Sequence, residues 1–351
     1  AQPADALPGR GGLLLALQPG LGSSLPGVRD WFLRYPYSCL EQKTSKAIGL
    51  RDAKTWRSVV AQMPAYLDSD GLASYFPPRE GSSDSGSDTL TAYLLAVTSE
   101  AATLDPAFAI PDDIRAQMEA GLIAFVEGRI QRSVWSPQKD LDVRKLAALE
   151  ALSRSGKAQG RMTTSITIAP NQWPTSAVLD WIGVLKRVND VPQRQQRLAE
   201  AEQVLKARVS YQGTRLVFST ETEDNWWWLM AGADVNSNRL LLAAVDDPAW
   251  KEDMGKLVAG ALGRQDRRSG AWSTTTANLW GSLALEKFSR AFESEPVQGV
   301  TRASLGTASE SVDWRKAERG MSFPWPQKPG KETISVQHEG AGKPWLTFQS
   351  T

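Results

Sequence analysis

Apolar helical segments recur along most of this chain, and the repetition constrains its fold more than any other feature. Leu90, Tyr93, Leu94 and Val97 follow the i, i+3, i+4, i+7 spacing of one helix face. Each such segment is followed by a more polar helix or by a long loop, and recurring two-helix units are typical of repeat architectures. Six units closed into a ring would form an (α/α)6 toroid with the apolar helices inside. The apolar helices are predicted to start near residues 39, 89, 141, 175, 225 and 276.

Both ends of the chain carry β patterns instead. Residues 12–18 form a short apolar run bounded by glycine and proline, and residues 333–336 and 345–348 flank a Gly- and Pro-containing segment that predicts a hairpin. Residues 295–332 are rich in Ser, Gly, Pro and charge, which indicates a linker. We therefore predict a mainly α fold with short β segments at both ends, and we expect the chain to be a segment of a larger protein.

Composition excludes several functions. The 40 basic and 39 acidic residues nearly cancel, so neither nucleic acid nor an anionic membrane is an expected partner. The longest purely apolar run is too short to span a bilayer, and no signal peptide precedes it. No metal-ligand cluster, P-loop or dinucleotide fingerprint is present, so no metal and no cofactor are predicted.

The chain has one cysteine, Cys39, and it lies three residues before Gln42. Residues three apart share a helix face, so the thiol and the glutamine carbonyl can close into an internal thioester with loss of ammonia. Such a bond makes the glutamine carbon an electrophile for amines or hydroxyls. The alternative is a lone cysteine that is only a small buried apolar residue without chemistry.

The residues around Cys39 favour the reactive interpretation. Ser38 and Glu41 have the S-x-x-E spacing of a capping box, which predicts Ser38 as the N-cap and Cys39 as the first helical residue. The partial positive charge and free N–H groups of a helix N-terminus would stabilise a departing thiolate. Glu41 is accordingly predicted to be a capping residue and not a catalyst.

The segment Tyr35-Pro-Tyr37-Ser-Cys39-Leu-Glu-Gln42 resembles the thioester motif of the α2-macroglobulin and complement family, most closely its bacterial members, although Ser38 replaces the usual glycine. The resemblance implies an α-toroid thioester domain (terpenoid-cyclase-like) inserted into a flanking CUB-like β-sandwich. It implies an N-terminal β segment at residues 1–22, the toroid at 23–294, and a return linker with C-terminal strands at 295–351. Tyr35 and Tyr37 are predicted to support the bond between Cys39 and Gln42.

The same resemblance implies a broad-spectrum protease inhibitor that acts once per molecule and is not an enzyme. A protease would cleave a bait region elsewhere in the full-length chain, and a lysine amine of that protease would then attack Gln42 and release Cys39. The partners would be target proteases and the other macroglobulin-like domains of the same chain. Members of the bacterial class are usually periplasmic and tethered to the inner membrane by an N-terminal lipid anchor, which this segment would lack.

Other functions and roles stay open on the sequence. One alternative is a thioester adhesin that attaches to surfaces, and another is an (α/α)6 hydrolase with an inert cysteine. The acidic pairs Asp112-Asp113, Asp246-Asp247 and Glu223-Asp224 could serve a glycosidase, although helix capping or solvation also explains them.

Two further features have alternative explanations as well. Trp226, Trp227 and Trp228 would lie on one helix, where they shield the bond from water, provide bulk packing or contact a neighbouring domain outside this segment. The only histidine, His338, is expected to be a strand residue and not a general base. Without a histidine in the helical block, the thioester should prefer amines to hydroxyls.

Overall fold

Eleven α-helices and eight short β-strands make up the described part of the chain, which confirms the mainly α fold class. The computed structural model describes residues 11–21, 25–79, 85–132, 140–316, 320–325 and 333–350. The chain divides into a helical unit, Leu25–Ala284, and a strand unit made of Ala1–Ser24 and Leu285–Thr351. No helix among the described residues is long and apolar enough to cross a membrane.

The helices follow one another along the helical unit, and the last one ends in the strand unit. They are α1 (Pro26–Arg34), α2 (Leu40–Gly49), α3 (Ala53–Gln62), α4 (Asp88–Leu104), α5 (Asp112–Val126), α6 (Leu141–Ser153), α7 (Thr175–Arg187), α8 (Arg194–Arg208), α9 (Ala233–Ala244), α10 (Met254–Leu262) and α11 (Thr275–Phe292). A small hairpin, β2 (Val209–Gln212) with β3 (Arg215–Phe218), follows α8.

Helices α2, α4, α6, α7, α9 and α11 contact one another in a closed sequence, in which a hydrogen bond or ion pair joins each helix to the next. In α4 nearly every position from Leu90 to Ala101 is buried, as expected of a helix that is apolar on all sides. The joining pairs are Ser45–Tyr93, Arg144–Asp88, Arg187–Glu150, Arg239–Asp180, Asn238–Ala277 and Thr275–Glu41. The more polar helices pack against members of this sequence: α3 on α2, α5 on α4 and α6, α8 on α7, and α10 on α9.

The helix predicted to start near residue 225 begins instead at Ala233. Residues 221–232 form turns and a short 3₁₀ helix, because local hydrogen bonds compete with helix formation here. The buried carboxylate of Asp224 accepts the backbone N–H of Thr175, at the start of α7, and the hydroxyl of Thr220. The prediction that the three tryptophans lie on one α-helix is therefore wrong.

In the strand unit two antiparallel sheets of three strands share one hydrophobic core. The first sheet has the order β6 (Gly320–Pro324), β1 (Gly12–Gln18), β8 (Trp345–Ser350), and the second has the order β5 (Ala308–Asp313), β4 (Val300–Leu305), β7 (Ile334–Glu339). The core contains Leu15 and Leu17 from one sheet and Ala303, Leu305 and Val312 from the other. The predicted run at 12–18 is therefore a strand, β1.

Two predictions for the C-terminal region are wrong. The strands β7 and β8 do not form a hairpin, because β7 pairs with β4 and β8 pairs with β1 in the other sheet. Residues 295–332, predicted to be a linker, contain β4, β5 and β6. Their serines and charged residues alternate with buried side chains, as in β4, so the polar residues form the exposed face of a sheet. Residues 1–10, 22, 317–319, 326–332 and 351 of the predicted end segments lie outside the described residues.

Candidate functional site

The first turn of α2 brings Cys39 and Gln42 together. Cys39 is the N-cap, in an extended conformation, and its side chain accepts the backbone N–H of Gln42. In return, the Gln42 Oε1 accepts the backbone N–H of Cys39 at 3.0 Å. The capping box predicted for Ser38 and Glu41 therefore lies one residue further along the chain, where Cys39 and Gln42 have the same three-residue spacing.

Cys39 is a free cysteine in the structure and only 7% exposed. Burial raises the pKa of its thiol, while the backbone N–H groups of Gln42 and Glu41 act in the opposite direction. A thiolate formed here would face the positive end of α2. The N–H groups of the first turn therefore stabilise a Cys39 thiolate, which burial disfavours.

The Gln42 side chain lies between Cys39 and Tyr35. Its Nε2 donates to the Tyr35 hydroxyl at 3.4 Å. The Tyr35 ring stacks on Trp31 with centroids 4.6 Å apart, and Tyr37 meets Tyr35 edge-on at 5.5 Å. The structure thus places Tyr35 in contact with Gln42 and Tyr37 in contact with Tyr35, the two tyrosines that were predicted to support the bond.

Glu41 points into the helical unit instead of capping α2. Its carboxylate is 6% exposed and accepts the hydroxyls of Ser45 at 2.7 Å and Thr275 at 2.9 Å. Ser45 also shares a 2.7 Å hydrogen bond with the buried Tyr93 hydroxyl. The predicted capping role of Glu41 is wrong, because inward-facing hydroxyls on α2 and α11 bind the carboxylate that would otherwise reach back to the N-cap.

A cavity of about 810 Å³ borders Gln42. Gln42, Glu41 and Tyr35 line one side of this site cavity, and Trp227 and Arg264 are among the residues that line the remainder. Arg264 is held by Glu221 at 2.7 Å and by Asp234 at 2.8 Å. The glutamine carbon that a thioester would activate therefore borders a space large enough for a side chain from another molecule.

The three tryptophans have different surroundings. Trp227 lines the site cavity and is 65% exposed, whereas Trp226 and Trp228 stack on each other with centroids 5.8 Å apart. The structure therefore places one of the three residues predicted to shield the bond on the same cavity as Gln42.

The remaining candidates have structural roles. His338 lies on β7 in the strand unit, where its Nδ1 and the Thr301 hydroxyl are 2.9 Å apart, as expected of a strand residue. Asp112 and Asp113 lie in the first turn of α5. Asp247 pairs with Lys186 at 2.6 Å, and Asp224 binds the start of α7. Among the residues that the structure describes, no group of three His, Cys, Asp or Glu could hold a metal ion.

Ser45, Tyr93 and Thr275 are neighbours of the site that were not predicted from the sequence. Ser45 lies four residues after Glu41 on α2, and this spacing could have predicted their contact. Thr275 lies 234 residues from Glu41 along the chain, so nothing in the local pattern indicates the pair.

Solved structures of bacterial alpha-2-macroglobulins have folds similar to that of this chain, as the motif around Cys39 predicted. A structure of the Escherichia coli protein from domain MG7 to the C-terminus matches 96% of this chain with 15% identity and a TM-score of 0.57. The trypsin-activated Escherichia coli protein matches 99% with 17% identity and a TM-score of 0.61. Salmonella alpha-2-macroglobulin reacted with methylamine matches 99% with 15% identity and a TM-score of 0.57.

These similarities concern the fold. The chain spans 51% of the first of these structures, 23% of the second and 22% of the third. No family model matches the chain, and no curated protein sequence matches it significantly.

Proposed function

We propose that this chain contains the thioester domain of a bacterial alpha-2-macroglobulin-like protease trap, with Cys39 and Gln42 as the thioester pair. The observation that carries the proposal is the reciprocal hydrogen bonding of Cys39 and Gln42 at the start of α2, beside the site cavity. The similarity of fold to bacterial alpha-2-macroglobulins supports it independently. An inert cysteine would not require a glutamine directed at it, nor a cavity at that glutamine.

The proposed domain is an (α/α)6 toroid flanked by a CUB-like β-sandwich. The closed sequence of hydrogen bonds and ion pairs among α2, α4, α6, α7, α9 and α11 supports the toroid, with the more polar helices as its outer layer. The two sheets that share one core support the sandwich. The division into a helical and a strand unit supports an insertion of the first into the second. Its limits, at residues 24–25 and 284–285, lie two and ten residues from the proposed limits at 22–23 and 294–295.

In the proposed reaction a lysine amine of the protease attacks the Gln42 carbonyl carbon from the site cavity. The carbon–sulfur bond breaks, the Cys39 sulfur leaves, and an isopeptide bond remains. The N–H groups of the first turn of α2 stabilise the sulfur, and Tyr35, with Trp227 across the cavity, slows hydrolysis by limiting access of water. Each molecule reacts once, so the protein is an inhibitor and not a turnover enzyme.

The solved relatives support the choice of partner. Structures of the Escherichia coli protein activated by porcine elastase and by trypsin are among the similar folds. For this chain we propose proteases as targets, a bait region and further macroglobulin-like domains in the same full-length protein, and a periplasmic location with a lipid anchor outside this segment.

Intact mass measurement before and after methylamine, together with thiol titration, tests the proposal. We expect the untreated chain to be lighter than its sequence mass by one ammonia, and methylamine to add one amine and release one titratable thiol. Cys39→Ala and Gln42→Glu should show neither the mass deficit nor the adduct. Glycerol at equal concentration should react more slowly than methylamine. A wild-type chain with a fully titratable Cys39 and no adduct at Gln42 would refute the thioester.

A further inference from the structure

Glu41 differs in its partners from three other buried carboxylates of the helical unit, Asp88, Glu150 and Asp180. Asp88, Glu150 and Asp180 each bind an arginine at 2.5–2.9 Å. Glu41 is equally buried but accepts only the hydroxyls of Ser45 and Thr275, and no lysine or arginine among the described residues forms an ion pair with it. A buried carboxyl without a cation favours its protonated form and is a typical proton donor or acceptor.

Glu41 is next to Gln42 in the chain and borders the same cavity. It lines the site cavity together with Gln42, and it is the residue between Leu40 and Gln42 in the first turn after Cys39. Arg264 also lines this cavity, but Glu221 and Asp234 already bind it, so it does not neutralise the negative charge of an ionised Glu41. A molecule that enters the cavity therefore meets an electrophile and a carboxyl together.

Four other titratable groups face Glu41. They are Tyr35 at the end of α1, Cys39 at the N-cap of α2, Tyr75 between α3 and α4, and Tyr93 on α4. Burial raises the pKa of all four, as it raises that of Glu41, so none of the four becomes more acidic. The chain thus holds one buried carboxyl beside Cys39 and Gln42, and burial raises its pKa above the ordinary value for glutamate.

We propose that Glu41 is the general base and then the general acid that transfers the proton in aminolysis of the Cys39–Gln42 thioester. This inference rests on the proposed function and adds to it the group that handles the proton.

The proposed step balances without any other reactant. The neutral amine adds to the Gln42 carbonyl carbon, and the Glu41 carboxylate takes the proton from the amine nitrogen. The carbon–sulfur bond breaks with its electron pair on the Cys39 sulfur, which takes the same proton from Glu41. The products are an amide at Gln42 and a thiol at Cys39, and Glu41 is a carboxylate again. Burial raises the pKa of the Cys39 thiol, so a sulfur that leaves with a proton avoids an unfavourable buried thiolate.

Glu41→Gln is the most direct test, because it keeps the shape of the side chain and removes the exchangeable proton. The partners Ser45 and Thr275 are hydroxyls, which can donate or accept and can therefore bind an amide. Glu119→Gln is the matched control: Glu119 is also buried on a helix but lines a different cavity, next to Arg115 at 3.6 Å. Glu41→Asp tests rescue by a shorter acid.

The measurement is the rate of thiol release by methylamine, divided by the concentration of free amine, from about pH 5 to about pH 9. General acid–base groups contribute about 10²–10⁴-fold, so we expect Glu41→Gln to react about 100-fold more slowly. The wild-type rate should rise with pH as Glu41 ionises and then level off, whereas the Glu41→Gln rate should not show this rise. Glu119→Gln should match the wild type, and Glu41→Asp should recover part of the rate and of the pH dependence.

The outcomes separate this inference from the proposed function. If the wild type forms the thioester and Glu41→Gln reacts within about twofold of it at every pH, the role of Glu41 is refuted and the trap is not. If folded Glu41→Gln lacks the thioester altogether, Glu41→Asp decides. A thioester in Glu41→Asp supports proton transfer by the carboxyl, whereas a thioester in neither variant shows that Glu41 is only structural. A wild type without a thioester refutes both proposals.

Discussion

Some buried carboxylates of the helical unit bind arginines, whereas Glu41 binds only hydroxyl groups. We assign the first arrangement to stability and the second to the proposed reaction. Between α4, α6 and α7, Glu100 and Glu150 share Arg154, and Glu150 also binds Arg187. Although burial alone would raise the pKa of Glu150, these arginines hold it below its ordinary value. At the start of α2, Glu41 has only hydroxyl partners and burial raises its pKa. The arginines favour the charged form of Glu150, whereas burial favours the protonated form of Glu41.

Arg154→Met should have the largest effect, because it leaves Glu100 and Glu150 without the guanidinium that binds both, at 2.7 and 2.8 Å. Breaking a buried ion pair from one side costs about 3–5 kcal/mol, and we expect a loss of unfolding free energy of that size in urea titrations. Arg161→Met is the control, since Arg161 is 66% exposed in its pair with Glu127 and should lose less than about 1 kcal/mol. Equal losses in the two variants would remove the distinction between the buried network and a surface pair.

The pH dependence of stability should separate Glu41 from a paired carboxylate. Because burial raises the pKa of Glu41, its contribution to stability is complete below the ordinary carboxyl pKa and declines as the pH rises through the value in the folded state. Glu41→Gln cannot titrate, so its unfolding free energy relative to wild type should improve as the pH rises. We expect this change to be smaller than the loss in Arg154→Met, because no ion pair is broken. Both proteins are compared after methylamine treatment, so that they have the same covalent state.

Asp247→Asn provides a control of opposite sign. Burial alone would raise the pKa of Asp247, but hydrogen bonds from Lys186 and from the backbone N–H of Ala249 lower it below its ordinary value. Its contribution to stability is present above the ordinary carboxyl pKa and is lost as the pH falls, so the disadvantage of Asp247→Asn should shrink in acid. If both variants showed the same trend with pH, burial of Glu41 would not explain its behaviour.

The sequence predicted the parts of the fold that depend on local periodicity. Five of the six apolar helices start within two residues of their predicted positions. The exception is α9, predicted to start near residue 225, where Asp224 instead contacts the start of α7. The strand pairing of β7 and β8 was not predictable, because each pairs with a strand distant in sequence. At the site, the pair Cys39 and Gln42 follows from spacing. The orientation of Glu41 does not, since its partner Thr275 lies on α11.

Ser38→Ala should have the smallest effect and tests whether the first turn of α2 is held by Cys39 and Gln42 alone. Two adjacent pairs have the capping-box spacing, and the structure uses Cys39 with Gln42, which leaves Glu41 free to face inward. We therefore expect Ser38→Ala to change the unfolding free energy by less than about 0.5 kcal/mol. Ser87→Ala is the matched control, because Ser87 caps α4 by accepting the N–H of Leu90 at 3.2 Å, and it should cost about 1 kcal/mol. Equal losses of unfolding free energy would show that Ser38 is the cap of α2. Glu41 would then be its capping partner, and the structural basis for proton transfer by Glu41 would be lost.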